Sequence, residues 1–275
     1  MDLNALRLTH TIPFQGAKRH AVASLGDEVF VAGNKSKDVE VYDTRTFILQ
    51  RHLTIPGFGS CCYGLAACIC NNCLYASDYR NSSIHRVDLS GSNAMKKWSV
   101  GSYPRGLSVN KAHNVVVACL EANKLQEYTT DGSLVREISL QRAGLPSPWH
   151  AVQLSTGDYV VSQFTSPGVV SVVGADGQVV CSYDQSQPSN VGQMKYPRCL
   201  AVTNNDDILV ADFDNHRILF MNSSLSSSQV LALSLDKGIQ WPLGLCLDES
   251  RGRLYVTEEI GYQRVLIFDS KAVNR

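Results

Sequence analysis

Six short segments of the chain are variants of one another, and this recurrence restricts the fold more than any other feature. They read RHAVASL, CYGLAACI, PRGLSVN, WHAVQL, PRCLAVT and PLGLCLD. In each, a small residue follows a larger one. Taking the small residue as anchor places the units at Ala21, Gly64, Gly106, Ala151, Cys199 and Gly244, 42 to 48 residues apart. A unit of roughly 40 to 50 residues is the length of one four-stranded propeller blade. The order inside a unit is constant: anchor strand, polar turn, second strand, polar loop, third strand, turn, fourth strand. The fifth unit shows it as CLAVT, NNDD, ILVAD, FDNHR, ILFM, NSSLSS and QVLALSL. The apolar runs are short, rich in Val, Ile, Leu and Tyr, and none carries a long helical period.

The sixth unit lacks an apolar fourth strand, since FDSKAVNR follows its third, whereas LRLTHTI at 6–12 is spare ahead of the first unit. Pairing the two chain ends would close the ring and remove two free sheet edges. The expected fold is all-β, a six-bladed β-propeller of four-stranded antiparallel blades. One domain covers 1–275, with blades starting near residues 20, 63, 105, 150, 198 and 243, and 6–12 as the outer strand of blade 6. Alternate side chains on a strand share a face. The anchors, together with Ala23, Ala66, Ser108, Gln153, Ala201 and Cys246, are therefore expected to line a central channel. Leu65, Leu107, Val152, Leu200 and Leu245 are expected to pack between blades.

Lys plus Arg and Asp plus Glu balance at 25 each, so no whole-chain field draws the protein to DNA or to an anionic membrane. MDLNALRLTH has no apolar run of signal-peptide length. Residues 57–77 are uncharged, but their Gly, Ser and Asn residues do not suit a lipid-spanning helix. The nine cysteines are odd in number and lie mostly in apolar runs, as reduced, buried thiols would. A reducing, cytoplasmic setting is expected, against which stand two sequons at Asn81 and Asn222.

The unit P-x-G-L-x-V, then L-x-V-A-D, then N-H-R-I resembles the NHL-repeat propellers, most closely in blades 5 and 6; in blade 5 Asn215-His216 precedes Arg217-Ile218. The resemblance implies that the acid after the second strand pairs with the Arg before the third, as Asp212 with Arg217 and Glu258 with Arg264. Blade 2 keeps Asp78 but has Ser83 at the Arg position, blade 3 has Cys119 with Lys124, and blades 1 and 4 have neither member. His216 then reads as part of a structural loop. The resemblance extends to the C-terminal propellers of tripartite-motif proteins. It implies recruitment of protein substrates for a ubiquitin ligase, or binding of RNA.

Catalytic chemistry finds little support. The expected channel positions do not form an oxygen cage for calcium. His20 and His150 stand on opposite blades, but a catalytic zinc site usually takes three protein ligands, and Arg105 and Arg198 would oppose a cation. Cys70-Asn-Asn-Cys73 has no second pair at zinc-finger spacing, and reads as a hairpin with Asn71-Asn72 as its two-residue turn. No GxSxG, HExxH or P-loop occurs. The sequence thus predicts no enzyme, no metal and no cofactor.

Charge is segregated by face. Loops entering the inner strands and loops joining second to third strands share one end of the disc, and there basic residues outnumber acidic ones. The opposite end is acidic, as turn-forming Asp residues would make it. The candidate binding residues on the basic face are Arg105, Arg198, His20, Tyr63, His150, Arg80, Lys35, Lys195, Phe213 and Tyr262. Aromatic residues there, including Trp149, Tyr196 and Trp241, could stack on bases or anchor a peptide. The leading expectation is a recognition scaffold for a protein or peptide partner, with RNA as the alternative ligand of the same face.

Overall fold

The computed structural model describes all residues except 2, 15–17, 34–35, 60, 92–93, 142–143, 184–190, 232–237, 260–262 and 271–275. Six four-stranded antiparallel sheets form the blades of a β-propeller. Blade 1 comprises Arg19–Leu25, Glu28–Gly33, Asp38–Asp43 and Leu49–Thr54. The other inner strands are Leu65–Cys68, Pro104–Val109, Pro148–Gln153, Pro197–Val202 and Pro242–Asp248. The outer strand of blade 6 is Arg7–Pro13, which pairs with Arg264–Asp269 from Arg7↔Asp269 to Pro13↔Arg264. The ring is therefore closed by the N-terminal segment, one residue later than expected at each end. The outer strand of blade 5 is Ser228–Val230, and the rest of the apolar run QVLALSL lies largely outside the described residues.

The core lies between blades. Phe30 and Ala32 of blade 1 meet Leu74 and Ala76 of blade 2; Val116 and Leu125 of blade 3 meet Tyr159 and Val161 of blade 4; Leu209 of blade 5 meets Leu254 and Phe268 of blade 6. Each blade buries both faces, so its second and third strands are nearly continuously apolar instead of alternating. Near the axis the inner strands converge. A Cβ on Gly64 would stand 2.6 Å from the Arg105 carbonyl oxygen, and one on Gly244 would stand 2.6 Å from that of His20. Only glycine permits that approach.

Blade 4 departs from the expected register by one residue. Leu65 pairs with Ala76, Leu107 with Val117, Leu200 with Val210 and Leu245 with Val256, and the residue paired at the equivalent place in blade 4 is Ala151, with Val161. His150, not Ala151, therefore occupies the position of Gly64, Gly106, Cys199 and Gly244. Ala151 is packed between blades 3 and 4, while His150 and Val152 line the channel in place of Ala151 and Gln153. Pro104, Pro197 and Pro242 each stand two residues ahead of the small residue, and Pro148 stands two ahead of His150. In blades 3 to 6 the proline that ends the incoming loop is the true register mark; blades 1 and 2 have Arg19 and Cys62 there. Gly106 makes room for the larger residue, since a Cβ there would lie 2.2 Å from His150 Cδ2.

Candidate binding site at the channel mouth

The corrected register puts His20, Tyr63, Arg105, Trp149, Arg198 and Leu243 at one level, just inside the end of the disc where the inner strands begin. Their side chains meet across the axis. His20 stacks on Tyr63 with centroids 4.8 Å apart, and Tyr63 meets Trp149 edge-on at 5.7 Å, from blade 2 to blade 4. Trp149 also packs with Leu243 and Phe213. These side chains narrow the channel at this end. Beneath them lies a cavity of about 310 Å³, walled by inner-strand residues such as Ala23, Ala66, Leu107, Ala201 and Cys246.

Two arginines are set into this aromatic floor. The Arg105 guanidinium lies 4.0 Å from the Tyr63 ring, 4.2 Å from Tyr79 and 4.6 Å from Trp149. That of Arg198 lies 3.9 Å from Trp149, 4.2 Å from Phe164 and 4.4 Å from Phe213. Each such contact contributes about 0.5–2 kcal/mol, more where water is excluded. Arg198 is only 8% exposed. The Nε atoms of both arginines are buried with no hydrogen-bond partner. Among the described residues neither guanidinium has an ion-pair partner: Glu259 pairs with Lys18 at 3.0 Å, and Asp214 is exposed. With both cations within 5 Å of one indole centroid, their carbons are at most roughly 8.5 Å apart. Like charges at that distance repel by about 2 kcal/mol at an effective dielectric constant of about 20.

Burial pulls the Arg198 pKa down to about 10, with Glu259 opposing and Arg105 reinforcing the shift, so the group is cationic at neutral pH. Burial pushes His20 down to about 4, opposed by Glu259 and assisted by Lys18, Arg198 and Arg105. His20 is neutral, and neither of its ring nitrogens has a partner. His150 is also held near 4 by burial, but it has a defined task. Its Nε2 donates to the Leu107 carbonyl at 3.0 Å, and its Nδ1 accepts from the Leu200 amide at 3.2 Å. Both nitrogens of His150 are occupied in bridging blades 3 and 5, so it does not form a zinc pair with His20.

Of the other expected residues, Phe213 lies under Arg198, and Arg80 and Lys195 are exposed in loops at the same end with no ion pair among the described residues. Lys35 and Tyr262 lie outside the described residues. Trp149, expected among the aromatic residues of this face, completes the floor together with Phe164 and Tyr79, which were not expected there. The aromatic rings differ from expectation in availability. Trp149 and Phe213 are 5% and 7% exposed, with guanidinium groups over their faces.

The acid–arginine pairs implied for blades 5 and 6 are present. Arg217 Nε donates to Asp212 at 2.6 Å, and Arg264 Nε to Glu258 at 2.5 Å. Each acid also ties the loop entering its blade, through Lys195 N–H at 2.7 Å and Gln240 N–H at 2.6 Å. In blade 2, Asp78 takes the Gly59 amide at 2.9 Å and, in place of an Arg, His85 Nε2 at 3.3 Å. Blade 1 has a different pair, Arg19 with Glu40. His216 adopts a left-handed conformation, φ 54°, and its Nδ1 accepts from Trp241 N–H at 3.1 Å, which bears out its structural role between blades 5 and 6. The Cys70–Cys73 hairpin is corrected. Its turn spans Ile69–Asn72, Cys70 is exposed within it, and Cys68 is the residue opposite Cys73. Among the described residues no three His, Cys, Asp or Glu side chains gather as metal ligands, and no helix is long and apolar enough to cross a membrane.

Residues 194–219, the stretch containing Lys195, Arg198, Asp212 and Arg217, match the NHL repeat. No curated protein is a significant sequence match to the chain. Among solved structures the chain is similar to virginiamycin B lyase from Staphylococcus aureus, with a TM-score of 0.69 and 15% identity over 94% of this chain and 82% of that one. It is also similar to a chain of the nidogen/laminin complex, TM-score 0.66 and 17% identity over 85% and 86%. The WD40 propeller domain of Doa1 gives 0.65 and 13% over 97% of each chain. These likenesses establish the propeller. They also correct the expectation that the chain is no enzyme: lyases stand among the similar structures, so the fold does not place the chain outside the enzymes.

Proposed function

We propose that the basic face of the propeller binds a protein partner, and that Arg105 and Arg198 at the channel mouth receive an anionic group from it. One observation carries this reading: two guanidinium groups are fixed against a shared indole, one of them almost fully buried, and among the described residues no carboxylate forms an ion pair with either. Burying an uncompensated cation is unfavourable unless a partner supplies the opposite charge. Arg80 and Lys195 extend the same field outward and would speed encounter with an acidic surface. The buried state of Trp149 and Phe213 favours a protein over RNA, since single-stranded bases need open ring faces on which to stack. A place in a ubiquitin ligase of tripartite-motif type is carried by resemblance alone and adds nothing to the argument from the site.

The test compares wild-type protein with an Arg105→Glu, Arg198→Glu double variant in capture from lysate, with and without ribonuclease. Partners retained after ribonuclease and lost in the double variant support the reading. Capture unchanged by the double substitution refutes the site. Capture that disappears with ribonuclease, and falls steeply with salt, would transfer the site to RNA.

A further inference from the structure

We propose that the channel mouth is a phosphoryl-binding site, so that the partner presents a phosphorylated side chain to Arg105 and Arg198. This inference rests on the reading of the basic face as a protein-binding surface and specifies the group recognised there.

The charge is the first argument. Two cations without an ion-pair partner face one mouth, and His20 beside them is neutral. A carboxylate would answer one positive charge and leave the other buried. A phosphoryl group, near two negative charges at neutral pH, answers both.

The span is the second. A guanidinium that donates two N–H···O bonds to a phosphate holds its carbon about 4 Å from phosphorus, given charge-assisted bonds of about 2.7–2.9 Å. Two such groups on one phosphate stand about 8 Å apart or less. The contacts of Arg105 and Arg198 with the Trp149 ring, at 4.6 and 3.9 Å, hold their guanidinium carbons within roughly 8.5 Å of each other, close to that span. Three terminal oxygens can serve two forks at once, which the two oxygens of a carboxylate cannot do in bidentate fashion.

Preorganisation is the third. Each guanidinium plane is fixed by three rings, from Tyr63, Tyr79 and Trp149 for Arg105 and from Trp149, Phe164 and Phe213 for Arg198. Little side-chain freedom remains to be lost on binding. The buried Nε of Arg198 has no hydrogen-bond partner, so the aromatic rings and not a direct ion pair hold this group in place. The lowered pKa of Arg198 agrees, because an anion at the mouth would reverse it.

The experiment is calorimetric titration of the whole chain with phenyl phosphate, with benzoate as the carboxylate arm and inorganic phosphate as the free-ion arm. Phenyl phosphate should bind at least tenfold more tightly than benzoate. Arg105→Gln and Arg198→Gln should each weaken it at least tenfold while the thermal midpoint of unfolding is retained. Should either variant fail to fold, phenylglyoxal modification of the wild-type protein, read by peptide mass spectrometry, takes its place: phosphate should protect Arg105 and Arg198 selectively. Equal affinity for benzoate, no detectable phosphate binding, or binding that persists in both variants overturns the proposal. Failure of the parent reading looks different. If lysate partners survive phosphatase treatment but are lost with the double Glu variant, the phosphoryl assignment falls and the protein-binding face stands. If they survive the double variant, the face itself is wrong.

Discussion

Removing the Arg217 side chain tests the account of the blade-5 ion pair in quantitative terms. Asp212 is fully buried, and its carboxylate takes bonds from Arg217 Nε at 2.6 Å, Asn215 Nδ2 at 2.8 Å and Lys195 N–H at 2.7 Å. Charges about 4 Å apart interact by about 4 kcal/mol at an effective dielectric constant of about 20. Leaving one member of a buried pair uncompensated costs about 3–5 kcal/mol. Because Asn215 and the Lys195 amide remain, Arg217→Met should cost about 3 kcal/mol in urea unfolding at pH 7. That is a large share of a typical stability of about 5–15 kcal/mol. The deficit should depend on pH in a defined sense. Burial already raises the Asp212 pKa above its ordinary value, with Asn215, the Lys195 amide and Arg217 opposing. Loss of Arg217 raises it further. A carboxyl with a raised folded pKa penalises the native state when ionised, and the penalty fades as pH falls through that value. The gap between variant and wild type should therefore narrow from pH 7 toward pH 4, and adding Asp212→Asn should recover part of it at pH 7. A loss below about 1 kcal/mol, or a gap that widens on acidification, would falsify the claim that Arg217 compensates a buried charge.

Gly106→Ala should destabilise the protein by about 1–3 kcal/mol, since the new methyl meets the His150 ring and the Trp149 carbonyl oxygen; partial recovery on adding His150→Ala, measured by thermal unfolding, would show that the ring is the obstacle. His150 is held neutral, with a pKa of about 4 against 6.5, so its contribution is complete above about pH 6.5 and is lost as pH falls toward 4. The slope of unfolding free energy over that interval should be shallower in His150→Gln by up to about 3 kcal/mol in total; an unchanged slope would refute the burial argument. Among the cysteines, exposed Cys70 should react first with a thiol reagent in the native protein, whereas buried Cys62 and Cys119, whose thiols burial pushes up to about 12, should wait for unfolding. Peptide mass spectrometry of briefly treated protein distinguishes these outcomes.

Much of the molecule was legible because a propeller repeats its physics. Every inner strand meets its neighbours at the axis, so a small residue recurs at one place in five of the six units, and the six related segments give the blade number. The spare N-terminal strand was legible for a similar reason, as the last blade lacked one. Blade 4 misled because two substitutions compensate in space. His150 fills a small-residue position, and Gly106, one blade away in sequence, empties the volume it needs. A local pattern search then settles on Ala151, although Pro148 carried the correct register. Asp78 finding His85 is a case of the same kind, since the partner stands two residues beyond the place where blades 5 and 6 keep Arg.

By itself the sequence determined the number of blades, the strand order within each, the closure by the N-terminal strand, and the end of the disc to which Arg105 and Arg198 belong. These follow from local periodicity and loop position, which a one-dimensional pattern records. Only the tertiary structure decided that the two arginines share one indole, that Trp149 and Phe213 lie beneath them instead of open to solvent, and that His150 is a strut between blades. Those facts depend on the distances between side chains brought together across a central axis from separate blades, and no spacing along the chain encodes them.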